Sequence, residues 1–283
     1  WRAGPHLYRK AEQEYVALYE AKMCWHFDHR FANCYQGAER VQNKQASERV
    51  TLTQKKDSRF SVTARFWVPA NEATRRLSEF ADRKWLFGFR DITNATNERS
   101  CVPVVIPAAG VGNKLPLILS ARDVFDQMAL CANLSAFCLD FVARTKIIGT
   151  NINYFIMRQF PVLPPAAYAQ PFHGVDLRAW IGERVLKLVY TAEDMKGFAE
   201  ELGCDAPPFV WDDEERLHLR CQLDALFFHL YGLARDDAGY ILDAFPIVQK
   251  QDMQCYGSYR TKDLILQYYN AYAAGDMTAL VSG

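Results

Sequence analysis

The chain has 283 residues, half of them hydrophobic and 23% charged, with 33 basic side chains against 33 acidic ones. That balance fits a globular protein with a substantial core and excludes a disordered chain, and no apolar run approaches the roughly 18 to 20 residues of a membrane helix. The zero net charge covers an asymmetry: up to Pro165 basic residues exceed acidic ones by 8, and from Ala166 onward acidic residues exceed basic ones by 8, the pattern of a chain in which one part faces a polyanion.

In chain order, the opening Trp1-Arg2-Ala3 lacks an initiator Met, as expected for a processed form or a piece of something longer, and it does not read as a signal peptide. A cytoplasmic address is the resulting expectation. Phe60, Val62, Ala64, Phe66 and Val68 alternate with Ser61, Thr63, Arg65 and Trp67, the period of a strand with one buried face. Lys84 to Ile92 and Cys101 to Ile106 read as further strands, the second demoted to an edge or bulge by Pro103. Val124, Met128, Cys131, Leu134, Cys138 and Phe141 recur every three or four residues behind Ser120 as N-cap, which predicts one long helix from Ala121 to about Arg144.

Between Gln159 and Pro171 four prolines in 13 residues forbid regular helix or central strand, and the domain boundary is expected there. Beyond it the period is helical: Leu177 to Tyr190, Ala192 to Leu202, Asp212 to Leu233, Asp236 to Phe245 and Thr261 to Ala274. Asp212 to Glu215 crowd the first turn of the third of these, where acidic side chains complement the helix dipole. The expected fold is α+β: a basic mixed domain over 1–165 followed by an acidic, mainly helical domain over 166–283.

Motifs for catalysis are missing. There is no Gly-x-x-x-x-Gly-Lys-Ser/Thr, Gly-x-Gly-x-x-Gly, Gly-x-Ser-x-Gly or His-Glu-x-x-His. Eight cysteines contain no Cys-x-x-Cys pair and read as reduced, mostly buried thiols. The cluster Cys24-Trp-His-Phe-Asp-His29 matches no paired zinc spacing and reads as structural, so no metal is expected. Glu20-Ala-Lys22 has the Glu-x-Lys spacing of magnesium nucleases without their preceding Asp, and Leu163-Pro-Pro-Ala166 lacks the acceptor and ring that an adenine methyltransferase motif requires. The chain by itself is expected not to be an enzyme. Polar loops around Arg90 to Arg99, Asn113-Lys114 and Lys146 to Asn153 carry the donors that read base edges and phosphates.

Three phrases, Ala17 to Arg30, Phe89 to Arg99 and Asn151 to Pro165, together with Leu230 to Asp237 and Tyr256 to Lys262, resemble the C-terminal part of large adenine-specific methyltransferases of restriction-modification and phage-defence systems, the type IIG enzymes among them. The resemblance spans nearly the whole chain. It implies a target recognition domain with a helical tail, which binds double-stranded DNA beside an upstream methyltransferase domain that would carry S-adenosylmethionine and the catalysis. No cofactor is expected in the chain itself, and no membrane partner. Carried over position by position, it implies DNA-facing roles for Lys22 and Arg30 in the first phrase and for Arg90, Asn97 and Arg99 in the second. Asn113, Lys114, Lys146, Asn151 and Asn153 extend the set, and Arg260 and Lys262 form the one basic phrase of the acidic half. Phrases shared across such a family suit folding or phosphate contact more than base choice, so the base readers are expected in the less recognisable stretch from Tyr35 to Glu79, with Arg40, Asn43, Lys44, Arg65 and Arg75 as candidates. The alternative is a protein interaction or scaffold module that binds another component of a defence complex.

Overall fold

In the computed structural model, residues 6–34 and 47–282 are described, and they fold as α+β. Contacts gather them into two compact units, each discontinuous in sequence: Trp1–Ile92, Pro103–Ala121 and Leu186–Trp211 in the first, Thr93–Val102, Arg122–Val185 and Asp212–Gly283 in the second. The boundary expected at Pro165 thus falls inside the second unit. Its prolines do break regular structure, but the exposed backbone groups are taken up by side chains of that same unit. Asn133 Oδ1 accepts from Leu163 N–H at 2.8 Å, and the Tyr231 hydroxyl donates to the Pro161 carbonyl at 2.9 Å. A segment satisfied in this way is packed structure, not a joint.

The first unit holds the strands. β1 (Leu7–Lys10) and β2 (Gln13–Tyr19) form an antiparallel hairpin; β3 (Ala32–Cys34) pairs with β4 (Ser47–Arg49). After α1 (Leu52–Lys56) come β5 (Trp67–Pro69), antiparallel to β2, and α2 (Ala70–Leu77). β6 (Trp85–Phe89) and β7 (Pro103–Pro107) pair antiparallel, and β8 (Gly110–Val111) lies parallel to β2. β6 and β7 are apolar throughout and buried at every position, as strands covered on both faces must be. Pro103 opens β7, where its missing N–H costs nothing. Gly88 allows the backbone at Pro116 to close in, since a Cβ there would meet the Pro116 carbonyl oxygen at 2.5 Å.

The strand expected over Phe60 to Val68 is mostly extended coil. Val62 and Ala64 are buried as the alternation requires, but a ladder forms only at Trp67–Pro69. Single backbone bonds, Cys34 N–H to the Thr63 carbonyl and Leu18 N–H to the Phe66 carbonyl, hold the rest. Alternation reports which side is buried; it does not supply a neighbouring strand.

The second unit is helical. The single helix expected from Ala121 is two, α3 (Val124–Ser135) and α4 (Phe137–Lys146), bent by 66°. Ala136 sits between them in extended conformation, and the Asp224 carboxylate accepts from Phe137 N–H at 2.8 Å, capping α4 from outside the local sequence. Asp123, not Ser120, caps α3, accepting from Asp126 N–H. α5 (Tyr154–Met157) follows, then α6 (Leu177–Val189), within which the unit boundary falls. α7 (Lys196–Glu201) belongs to the first unit. α8 (Asp213–Leu230), α9 (Arg235–Asp243), α10 (Pro246–Tyr256) and α11 (Arg260–Ala273) complete the second. α10 was not expected from periodicity. It is bounded by Pro246 in its first turn and by Gly257 at φ 76° as its left-handed cap. Among the described residues no single helix is long and apolar enough to cross a membrane.

Candidate nucleic-acid interface

The first phrase builds a buried polar network in the first unit. Arg30 is 0% exposed. Its guanidinium donates to the carbonyls of Lys55, Asp57, Phe60 and Thr191 at 2.8 to 3.0 Å, among them the last carbonyls of α1, where a cation suits the negative end of the helix. Both terminal nitrogens of Arg30 are thus taken up inside the protein, and the side chain does not face outward as the resemblance implies. Asp28 pairs with Lys55, whose ammonium also lies 4.3 Å above the Trp211 ring. Asp194 accepts from His6 Nε2 at 2.7 Å and from His29 Nε2 at 2.9 Å. Burial alone would raise Asp194, but the two imidazoles outweigh it and hold the carboxyl well below its usual range. Burial lowers His29 against the pull of Asp194. Among the described residues no group of three or more His, Cys, Asp or Glu side chains is arranged so that it could hold a metal ion.

The second phrase divides between the units. Arg99 is 9% exposed in the second unit, with Nε donating to Asp140 Oδ2 at 2.8 Å, Nη2 donating to the Ser135 carbonyl, and its guanidinium 3.9 Å above the Phe137 ring. Burial works against its charge, and Asp140 restores it beyond the ordinary value. Asp140 also accepts from Ser100 N–H at 3.0 Å and Cys101 N–H at 3.2 Å. Arg99 is thus held largely out of solvent by Asp140, Ser135 and Phe137, not in the outward position that the resemblance implies. Asn94 Oδ1 closes the loop by accepting from Thr96 N–H at 2.9 Å, and the Asn97 carbonyl accepts from Arg144 at 2.7 Å, which leaves the exposed Asn97 side chain as the phrase's outward polar group.

The remaining candidates divide by partner. Lys22 lies 3.5 Å from Glu20, which also receives Arg65 at 2.9 Å. Lys114 pairs with Asp91 at 2.9 Å beside an exposed Asn113. Arg260 pairs with Glu214, Lys262 with Asp243 at 2.6 Å, and Arg75 with Glu72 at 2.8 Å. Of these cations Arg75 and Lys114 are exposed, in pairs worth about 0–1 kcal/mol each, while Arg65 and Arg260 are mostly covered. Asn153 caps α5, accepting from Ile156 N–H at 2.9 Å, and Asn151 accepts from the Thr150 hydroxyl at 3.2 Å. Lys146 is exposed with no ion pair among the described residues. Arg40, Asn43 and Lys44 lie outside the described residues. The two residues that composition did not single out are Phe155, 75% exposed, and Arg158, exposed and without an ion pair among the described residues. From Phe141 to Val175 the chain contains no acidic residue, a signal that was available in the sequence.

Arg90 differs from all of these. It is half-buried at the end of β6, 5.0 Å from the Trp25 ring centroid, with no acidic partner and no hydrogen bond among the described residues. Counted by compact unit, the charge asymmetry is milder than by sequence halves: the first unit carries 20 basic and 16 acidic residues, the second 13 and 17. Compared with protein families, with curated proteins and with solved structures, the chain matches none.

Proposed function

We propose that the chain is a double-stranded DNA recognition module of an adenine-N6 methyltransferase of a restriction-modification or phage-defence system, with the S-adenosylmethionine chemistry supplied by a separate catalytic domain. The observation that carries the reading is the stretch from Phe141 to Val175, which has no acidic residue and exposes Lys146, Asn153, Phe155 and Arg158 within an otherwise acidic unit. Cations without acidic neighbours attract phosphates, an amide reads a base edge, and an exposed ring packs on bases or sugars. Asn97 and Asn113, also exposed, add donors and acceptors of the same kind.

The test is equilibrium binding of a randomised duplex library to the chain across a salt series, followed by sequencing of the bound fraction. Enrichment of one sequence is expected, with affinity falling as salt rises. Lys146→Glu with Arg158→Glu should reduce the slope of log K against log salt by about 2, one per phosphate contact, without changing the selected sequence. Binding without enrichment, or no binding at low salt, sinks the recognition reading. The second reading, a protein interaction module, is favoured by two exposed apolar side chains on the same stretch, Ile148 at 99% and Phe155 at 75%. It gains if Phe155→Ser abolishes capture of a defence-complex protein while leaving the salt dependence of DNA binding unchanged.

A further inference from the structure

In the second unit, residues of α9 and α11 line an open groove of about 340 Å³. The Tyr269 hydroxyl donates to the Leu233 carbonyl at 2.9 Å and the Tyr259 hydroxyl to the Leu242 carbonyl at 2.8 Å, so the two helices run antiparallel. Arg235, the first residue of α9, therefore lines the groove toward the Tyr269 end of α11. Asp263, Gln267 and Asn270 line it from α11 itself. Their i, i+4, i+7 spacing puts the three side chains on one helix face, over about 10 Å of its length. Buried Leu266 is the apolar residue of the wall.

The charges that line this groove are of both signs and do not meet. Arg260 lines it too, but both of its terminal nitrogens donate to Glu214 on α8, and its guanidinium lies 4.7 Å from the Tyr256 ring centroid. The Arg260 charge is thus compensated before any ligand arrives. Arg235 meets a single carboxylate among the described residues, that of its chain neighbour Asp236 at 4.0 Å, and Asp236 is fully exposed. An exposed pair at that distance holds its cation weakly. Asp263 has no ion pair and no side-chain hydrogen bond among the described residues, and the carboxamides of Gln267 and Asn270 have no hydrogen bond there either. One cation and one anion therefore share a groove without pairing with each other, and two amides with unused donors and acceptors stand on the same face.

We infer that this groove binds a small zwitterion carrying an ammonium and a carboxylate group, the class of free amino acids and short peptides, with the carboxylate on Arg235 and the ammonium on Asp263. The planar fork of a guanidinium matches a carboxylate, and a carboxylate accepts from an ammonium. Carboxamides both donate and accept, which suits the remaining polar atoms of such a ligand. A simple anion such as phosphate would gain at Arg235 and be repelled by Asp263; a simple cation would meet the reverse. A ligand bearing both charges gains at both ends. The volume lies at the lower end of small-molecule sites, about 300–1,000 Å³, and fits a ligand of amino-acid size. The site stands on the groove alone and is independent of the DNA reading.

The experiment titrates the full chain calorimetrically with each common L-amino acid in turn, with diglycine and dialanine, and with inorganic phosphate. At least one amino acid or dipeptide should saturate the chain with a Kd at or below about 1 mM. Arg235→Gln and Asp263→Asn, both at exposed helix positions, should each weaken that binding at least about tenfold, the factor for one lost charge-assisted contact, with the circular dichroism unchanged. The ligand supplies the matching controls. Its N-acetyl form should bind wild type and Asp263→Asn alike, and its carboxamide form should bind wild type and Arg235→Gln alike. Saturation by free amino acids assigns the groove to them, and saturation by dipeptides alone assigns it to short peptides; both keep the site. Saturation by phosphate alone, no saturation by any amino acid or dipeptide up to about 10 mM, or equal binding by wild type and both variants overturns it.

Discussion

At the scale of single residues, burial and pairing make the first unit sensitive to pH. His29 has its folded pKa below the ordinary 6.5 because burial disfavours its charge. The unfolded chain therefore takes up a proton near pH 6.5 that the folded chain refuses, and stability falls as pH drops below that point. Asp194, held low by the imidazoles, contributes stability that is complete above the unfolded carboxyl value near 3.8 and is lost as pH falls further. Urea unfolding of wild type between pH 7.5 and 5.5 should show a decline that His29→Gln flattens, at some cost in stability at pH 7.5 from the lost Asp194 contact. An unchanged pH slope in the variant would place the proton uptake elsewhere. The same partners explain why the site was hard to read from sequence. Arg30 and Arg99 look like outward donors in their phrases, yet Arg30 is taken up by Thr191, 161 residues away, and Arg99 by Asp140, 41 residues away. Local spacing cannot show whether a guanidinium meets a phosphate or a carbonyl from another part of the chain.

At the scale of elements, the break at Ala136 turns on two carboxylates that behave oppositely. Asp140 binds Arg99 and two backbone N–H groups. Asp224 receives Phe137 N–H alone among the described residues, and burial raises it to about 6. Above pH 6 the fold pays for holding that charge; as pH falls from about 6 toward 3.8 the folded chain binds a proton the unfolded chain does not, and stability rises by up to about 3 kcal/mol. Asp224→Asn keeps an acceptor for Phe137 and loses the charge, so it should be neutral or stabilising by about 1–3 kcal/mol at pH 7.5 and lose that advantage by pH 4.5. Asp140→Asn strands Arg99 and should cost about 3–5 kcal/mol. Thermal and urea unfolding of both variants at the two pH values decide it; a destabilised Asp224→Asn at neutral pH would overturn the assignment. Elements such as α8 and β6 were legible because stripe and cap in the helix, and the apolar run in the strand, lie within one stretch of chain. The α3–α4 bend was not, because the group that caps α4 sits 87 residues away while the apolar period runs through the break unaltered.

At the scale of the whole molecule, the chain is organised by what the first unit needs from residues 186–211. Arg30 is closed by Thr191, His29 by Asp194, and the Trp85 indole N–H donates to Glu201 at 2.6 Å. Phe198 lies edge-on to Trp85, and Gly197 lets the chain pass so close to Lys84 that a Cβ would meet its side chain at 2.3 Å. These supports come after the proline-rich segment, so the composition change at Pro165 marks a shift in charge and not a folding boundary. A fragment of residues 1–165 would expose Trp85 and leave the buried Arg30 and His29 without the Thr191 and Asp194 acceptors, each such orphan costing about 1–3 kcal/mol or more where charge is involved, against a typical total stability of about 5–15 kcal/mol. It should therefore give no cooperative melt and little near-ultraviolet dichroism, while the full chain melts sharply. Supplying residues 186–211 on a flexible linker to a fragment that keeps residues 1–121 should restore a cooperative transition, since every group of the first unit is then present. A sharp melt from residues 1–165 alone would return the boundary to the prolines and detach the first phrase from the network that now accounts for it.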